Sequence, residues 1–378
     1  MTRFADRIVL LVLCAGALPG CGDNFALERP AGPPHAVVVA GDFTMGHPGV
    51  LSTLDPATGR VSANVGPALA VGDDPVLRHF GHELFIVNRS DGNNVTILDD
   101  RTLAFTAQLG TGPGSNPQDV AVLGNKLYVA TYGTKGVTVL TRGSTATTVI
   151  DLSGDDPDGL PNCESVYLVG RDLYVACQLL DNSQEFLPPR GPGKVYVVDT
   201  TTNAIKARLT LGHQNPFSLI EQIPAGAPHA GDLVVGTVFF DDNTGCVERI
   251  AVGSAPSAAG CLVDNTDLGG YASRVDFQVD GASAVTFLAV PGPFVPKMPP
   301  TSALRALDMP TSALWSGPLN AVSEVIGDLV ICPEGEIVVT DTAFPVSGLR
   351  IYDGATERTP AAQPIGLPPT STHGLVCY

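Results

Sequence analysis

Positive charge is scarce in this chain: Lys and Arg number 21 against 38 Asp and Glu, a formal net charge of -17 over 378 residues. A surface that neutralises phosphates needs clustered cations, so no nucleic-acid partner is expected. Helical periodicity is also missing, because no stretch of ten or more residues repeats its apolar side chains every 3.6 positions. The apolar run from Ile8 to Leu18 is too short to span a bilayer. Gly-x-x-x-x-Gly-Lys-Ser/Thr, His-Glu-x-x-His, Gly-x-Ser-x-Gly and Cys-x-x-Cys are all lacking, which leaves phosphate-loop, zinc-protease, nucleophile-elbow and dithiol chemistries without a foothold. What the chain has in quantity is turn formers, 42 Gly and 32 Pro, beside an apolar fraction of 44%. That fraction is too high for a disordered chain, so the glycines and prolines are read as turns between many strands.

The N-terminus follows a targeting grammar. Arg3 and Arg7 precede the apolar run, which ends in Leu18-Pro19-Gly20-Cys21. This segment resembles the signal peptide and lipobox of bacterial lipoproteins. The resemblance implies that residues 1–20 are removed and that Cys21 is lipidated. Residues 21–34 lack any period and are read as a tether, and residues 35–378 as one folded domain. Gly22 stands where an inner-membrane retention Asp would, which favours the outer membrane, on its periplasmic or surface face.

Of the 8 cysteines, Cys14 leaves with the signal and Cys21 takes the lipid. The remaining six fall into consecutive pairs, Cys163 with Cys177, Cys246 with Cys261 and Cys332 with Cys377. That pairing suits an oxidising compartment, although six cysteines admit other connectivities. For the first pair, a three-residue loop around Gly170-Arg171 would set the two cysteines opposite one another.

The strongest signal is repetition. The phrase NPQDVAVLGNKLYVAT (116–131) returns as DPVLRHFGHELFIVN (74–88), PNCESVYLVGRDLYVAC (161–177) and a stretched NPFSLIEQIPAGAPHAGDLVVGT (215–237). Each reads as a strand, a Gly-led tight turn and a second strand. A third strand follows, ending in Asp, two residues and Thr, as at Asp55, Asp99, Asp199 and Asp353. Asp and Thr in that spacing tighten a turn by bonding nearby backbone amides, so these acids are read as structural. Aligned, the phrases predict four-stranded units beginning near Pro75, Pro117, Asn162, Pro216, Ser273 and Gly327. Fragments remain at both ends, AVVVAG, GVLSTLD and RVSANVG at one and HGLVCY at the other, and joined they make a seventh unit. The expected fold is therefore all-β, a seven-bladed β-propeller of four-stranded antiparallel blades. Its C-terminal strand completes the N-terminal blade and leaves no free sheet edge. The sixth unit is the weakest match, with long loops and a helical turn considered near Ser302 to Leu307.

The rhythm Asn-Pro, then Gly-x-x-Leu-Tyr-Val-Ala, then Val-x-Val-Leu-Asp-x-x-Thr is similar to the YVTN-repeat family of seven-bladed β-propellers. The resemblance implies the fold and an extracytoplasmic binding role; it carries no catalytic residues. In such a ring the loops into the inner strands gather at one mouth, here at Asp74, Asn116, Asn162, Asn215, Arg274, Asp328 and His373, with Asp119 and Glu164 slightly further along. Asn116, Asn162, Glu164, Asn215, Asp328 and His373 are the candidates for holding a ligand or a hard cation such as Ca2+; no cofactor is required by any motif. The leading expectation is a monomeric, lipid-anchored module that binds a protein or small molecule. The alternative is a lactonase-like hydrolase with a divalent cation held by Asn116, Glu164, Asn215 and Asp328. A quinoprotein is disfavoured because Trp315 is the only tryptophan. The acidic run Asp155-Asp156-Pro157-Asp158 is read as a solvated loop, and Phe239-Phe240 before Asp241-Asp242-Asn243 as a possible contact surface.

Overall fold

The computed structural model describes residues 35–40, 48–72, 74–281, 283–293, 301–370 and 372–378. The segments read as signal, lipobox and tether, Cys21 included, lie outside them. Seven four-stranded antiparallel sheets form the ring. Blade 1 joins the two ends of the chain: Leu375–Cys377 is its inner strand, followed outward by Ala36–Ala40, Val50–Asp55 and Arg60–Val65. Blades 2 to 7 span 75–110, 117–151, 163–214, 221–264, 274–314 and 326–357. The shared blade and the counted units are as the repeats predict.

The core is distributed between blades. Seven buried apolar clusters correspond to the seven seams between neighbouring sheets. In Lys126–Thr131, Leu127 and Val129 pack toward blade 2, whereas Tyr128 and Ala130 pack toward blade 4. A strand buried on both faces reads as a continuous apolar run, which is why the second strands read ELFIVN, KLYVAT and DLYVAC in blades 2 to 4 and AVVVA, LVVG and IVVTD in blades 1, 5 and 7. The turns that recur with it have a backbone reason. Gly81, Gly124, Gly170 and Gly281 have φ of +62, +60, +61 and +57°, the first central position of a two-residue hairpin that favours Gly. The loop between Cys163 and Cys177 is thus two residues, Gly170-Arg171, rather than three, and the cysteines are register partners.

All three expected disulfides are present, Cys163–Cys177, Cys246–Cys261 and Cys332–Cys377. The last joins neighbouring inner strands across the closure. The Asp-x-x-Thr turns hold at Asp55, Asp99 and Asp199, whose carboxylates accept backbone amides within their turns. Asp308 makes the same turn with Thr311, a copy the sequence reading passed over. At Asp353 the turn is instead a two-residue hairpin, Gly354 taking φ +54° and Asp353 pairing with Thr356.

Two expectations need correction. Ser302–Asp308 is a strand with no helical turn, because Leu304 and Ala306 pack toward blade 7 while Ala303 and Leu307 pack toward blade 5. That is a period of two, disguised by alanines that also suit a helix. The acidic run is also more than a solvated loop. Asp158 accepts Asn182 N at 3.0 Å and pairs with Arg190 at 3.1 Å, and Asp155 accepts the Tyr196 hydroxyl at 3.0 Å. It therefore pins the long loop of blade 4.

Candidate functional site

Chain direction in the blades puts the loops into the inner strands, and those between second and third strands, on one face, the mouth. Asn116, Asn162, Asn215 and His373 sit there with φ of 45, 51, 49 and 55°. The left-handed region disfavours most side chains but tolerates Asn, so three of the six candidates are first explained by backbone geometry. Asn116 Oδ1 also accepts Ser90 N and Gln118 Nε2, both at 2.9 Å. Asn162 bonds Asn182 at 3.1 Å, and the Asn215 carbonyl accepts Val238 N at 3.2 Å. His373 is buried, with Nε2 3.1 Å from the Ser273 carbonyl. Burial, with Arg274, Arg89 and Arg78 around it, pushes its imidazole down to about 3. It is a neutral donor at the channel wall, which disqualifies it as a base near neutral pH.

Glu164 reaches the channel by another device. Inner strands of blades 3, 4 and 7 slip register at Pro117/Asp119, Cys163/Ser165 and Ile326/Leu329. The extra residues are Gln118 in blade 3 and Glu164 in blade 4, and a bulge re-aims the side chain it carries. Gln118 Oε1 accepts Arg89 at 3.2 Å, and Arg89 pairs with Asp74 at 2.6 Å. Glu164 contacts the Tyr132 hydroxyl, which also contacts Gln178 Oε1, and Gln178 Nε2 donates to the Pro216 carbonyl at 3.2 Å. A phenol has one proton, so if it donates to Gln178 its other partner must donate to it. Burial pushes Glu164 up to about 7, so below that pH its protonated form supplies the donor. In that form the bonds run in one direction, Glu164 carboxylic acid to Tyr132 to Gln178 to Pro216.

Deeper in the channel the inner strands are stapled to one another by charge. Arg78 of blade 2 grips Asp119 of blade 3 through two bonds of 2.8 and 2.9 Å and reaches Glu221 of blade 5 at 3.0 Å. Arg274 of blade 6 lies 3.5 Å from Glu221 and 3.8 Å from Asp328. Asp119 also accepts Val120 N, Ser165 Oγ and Val166 N at 2.8, 2.8 and 2.9 Å, so it ties blade 3 to blade 4. Asp276 repeats this with Phe277 and Ile331, both at 2.8 Å, and Asp328 with Leu329 and Leu375 at 2.9 and 3.1 Å. Burial alone would raise Asp119, but Arg78 and its hydrogen bonds hold it below the usual carboxylate range. Burial prevails at Asp276, pushed up to about 6, and raises Asp328.

The topology puts Asn116, Asn162, Asn215 and His373 in loops at the mouth, with Glu164 and Asp328 further along their inner strands, and the contacts just described bind each of the six to a different neighbour. Sequence reasoning passed over Arg78, Arg89, Tyr132, Gln178, Glu221 and Asp276. A signal was available for three: Arg78 and Asp276 sit between apolar residues inside the first strands PVLRHF and RVDFQVD, and Glu221 opens its strand.

The mouth is also where apolar side chains are left uncovered. Among the described residues, nine large apolar side chains are exposed, and seven of them, Leu69, Phe186, Leu187, Phe240, Val322, Phe344 and Val346, lie on mouth loops. Phe240 closes an edge-to-face trio with Phe217 and Tyr271 at centroid distances of 5.3 to 5.8 Å. The other two, Phe105 and Val149, lie on outer strands.

No family model matches the sequence, and no curated protein sequence matches it. Solved structures do. A protein from Bacteroides fragilis proposed to be a 6-phosphogluconolactonase is 14% identical and aligns with a TM-score of 0.62 over 93% of this chain and 100% of its own. A second such protein, from Bacteroides uniformis, is 11% identical with a TM-score of 0.61 over 92% of this chain and 100% of its own. The dihydro-heme d1 dehydrogenase NirN is 14% identical with a TM-score of 0.52, covering 93% of this chain and 76% of its own. At these identities the likeness is one of fold.

Proposed function

We propose that the protein is an extracytoplasmic, lipid-anchored β-propeller that works as a binding module and receives a protein partner on its mouth face. The observation that carries this is the one-sided distribution of exposed apolar side chains, seven of nine on loops of the mouth face, the side on which a partner would bury them. Three disulfides support an oxidising compartment. Among the described residues, no helix is long and apolar enough to cross a membrane; the lipid anchor on Cys21 is read from the lipobox-like Leu18-Pro19-Gly20-Cys21. The strand Ala36–Ala40 begins on the face opposite the mouth. A tether of residues 21–34, reaching at most roughly 50 Å at full extension, would therefore join the ring on the face away from the mouth.

The test places a photo-crosslinking amino acid in the producing cell at Phe344 or Val322, and at Arg101 or Thr201 on the opposite face. Discrete protein adducts are expected from the first pair alone; adducts from both faces, or none from the mouth, would overturn the reading. Cys21→Ser should release the protein from membranes. The hydrolase alternative draws on the fold shared with the two Bacteroides proteins. It requires Asn116, Glu164, Asn215 and Asp328 to turn oxygens toward one cation, and a rise in melting temperature on adding Ca2+ that Glu164→Gln abolishes would favour it.

A further inference from the structure

The three disulfides differ in what surrounds them. Cys163 and Cys177 are fully buried, and at the ring closure Cys332 is buried and Cys377 partly so. In the third pair Cys246 is buried, but Cys261, on the outer strand Ser257–Asp264 of blade 5, is exposed. His213, near the end of the outer strand Ala204–Gln214 of blade 4, faces both sulfurs. Its Nδ1 lies 3.5 Å from Cys246 Sγ and 4.0 Å from Cys261 Sγ. Glu248 Oε1 stands 3.1 Å from the same nitrogen, its carboxylate fixed by Gly212 N and His213 N at 2.8 and 2.7 Å. Among the described residues this is the one place where three His, Cys or acidic ligand atoms lie close enough together for a metal, all within 4.8 Å.

We propose that Cys246–Cys261 is an exchange-active disulfide and that its reduced form, with His213 and Glu248, is a four-ligand Zn2+ site at the seam of blades 4 and 5. The thiolate of an external dithiol attacks the exposed Cys261 Sγ, forming a mixed disulfide, and Cys246 leaves as a thiolate beside His213. The second thiol of the reductant then displaces Cys261 and closes its own disulfide. Two electrons pass from the dithiol to the protein pair, and Zn2+ displaces the protons the two thiols hold. The geometry is close to what the ion demands. Bond lengths of about 2.3 Å to sulfur and about 2.0–2.1 Å to nitrogen and oxygen put tetrahedral N···S edges at about 3.5 Å and the N···O edge at about 3.4 Å. The observed 3.5, 4.0 and 3.1 Å from His213 Nδ1 lie within about half an ångström of those edges; His213, Cys246 and Cys261 are the preformed trio, and on binding the two sulfurs, now bonded, must part and the Glu248 carboxylate must close on them.

The experiment reduces the folded protein with limiting dithiothreitol without denaturant, alkylates it, and locates the label by peptide mass spectrometry. Native mass spectrometry then counts Zn2+ in the oxidised and reduced forms. Cys246 and Cys261 should label at least tenfold faster than the other four, and the reduced form alone should retain one Zn2+. His213→Ala, at a half-exposed position that leaves the fold intact, should weaken zinc binding at least tenfold. Uniform labelling of all six cysteines, a reduced protein that holds no zinc, or unchanged zinc affinity in the His213 variant would each overturn the proposal.

Discussion

Replacing Asp119 by Asn tests whether the channel acids hold the ring together. The side chain keeps its shape but loses its charge at a fully buried position that receives two bonds from Arg78, two backbone amides and the Ser165 hydroxyl. An amide offers one acceptor atom in place of two and turns a donor toward donors. Arg78 keeps only Glu221, which it shares with Arg274. Breaking a buried ion pair on one side costs about 3–5 kcal/mol, because the remaining charge stays desolvated. Urea unfolding followed by fluorescence and circular dichroism should show that loss as a lower midpoint with an unchanged slope. The pH dependence adds a second reading. Asp119 is held below its ordinary value, so its contribution is present above about pH 4 and fades on further acidification, a fade the variant should lack. Pairing Arg78→Met with Asp119→Leu should recover part of the loss, since no lone charge is then buried. A loss under about 1 kcal/mol in Asp119→Asn would refute the stapling argument.

The closure disulfide spans 45 residues, for which the chain-entropy model gives about 4 kcal/mol, so Cys332→Ser with Cys377→Ser should lower unfolding stability by that order in denaturant titrations. Glu164 is raised to about 7 in the folded state, so the stability it contributes is complete below about pH 4.5 and lost as pH rises through 7, by roughly 3 kcal/mol. Glu164→Gln, whose amide can still donate to Tyr132, should be the more stable protein above pH 7 and show no such decline; a parallel pH–stability curve would contradict the proton assignment.

The ring was legible because its punctuation repeats. Gly81, Gly124 and Gly170 answer one dihedral requirement, and Asn116, Asn162 and Asn215 another, so the same letters recur at each blade whatever fills the strands. The channel was not legible, because its chemistry comes from residues that differ between copies. Arg78, Asp119, Ser165 and Asp276 occupy related places on inner strands, and their partners lie one or more blades away in sequence. Glu164 was singled out, but the bulge that turns it and the Tyr132 loop that meets it arise from register, which spacing alone does not reveal.

The strand that closes blade 1 is synthesised after every other strand of the ring. Until Leu375–Cys377 emerges, Ala36–Ala40 carries an open edge, Asp328 has no Leu375 amide to accept and Cys332 has no partner. A chain crossing a membrane in order from its N-terminus therefore cannot finish its first-made blade until the last strand arrives. Completion of the propeller is in effect a single late event, and one short strand acts as its timer.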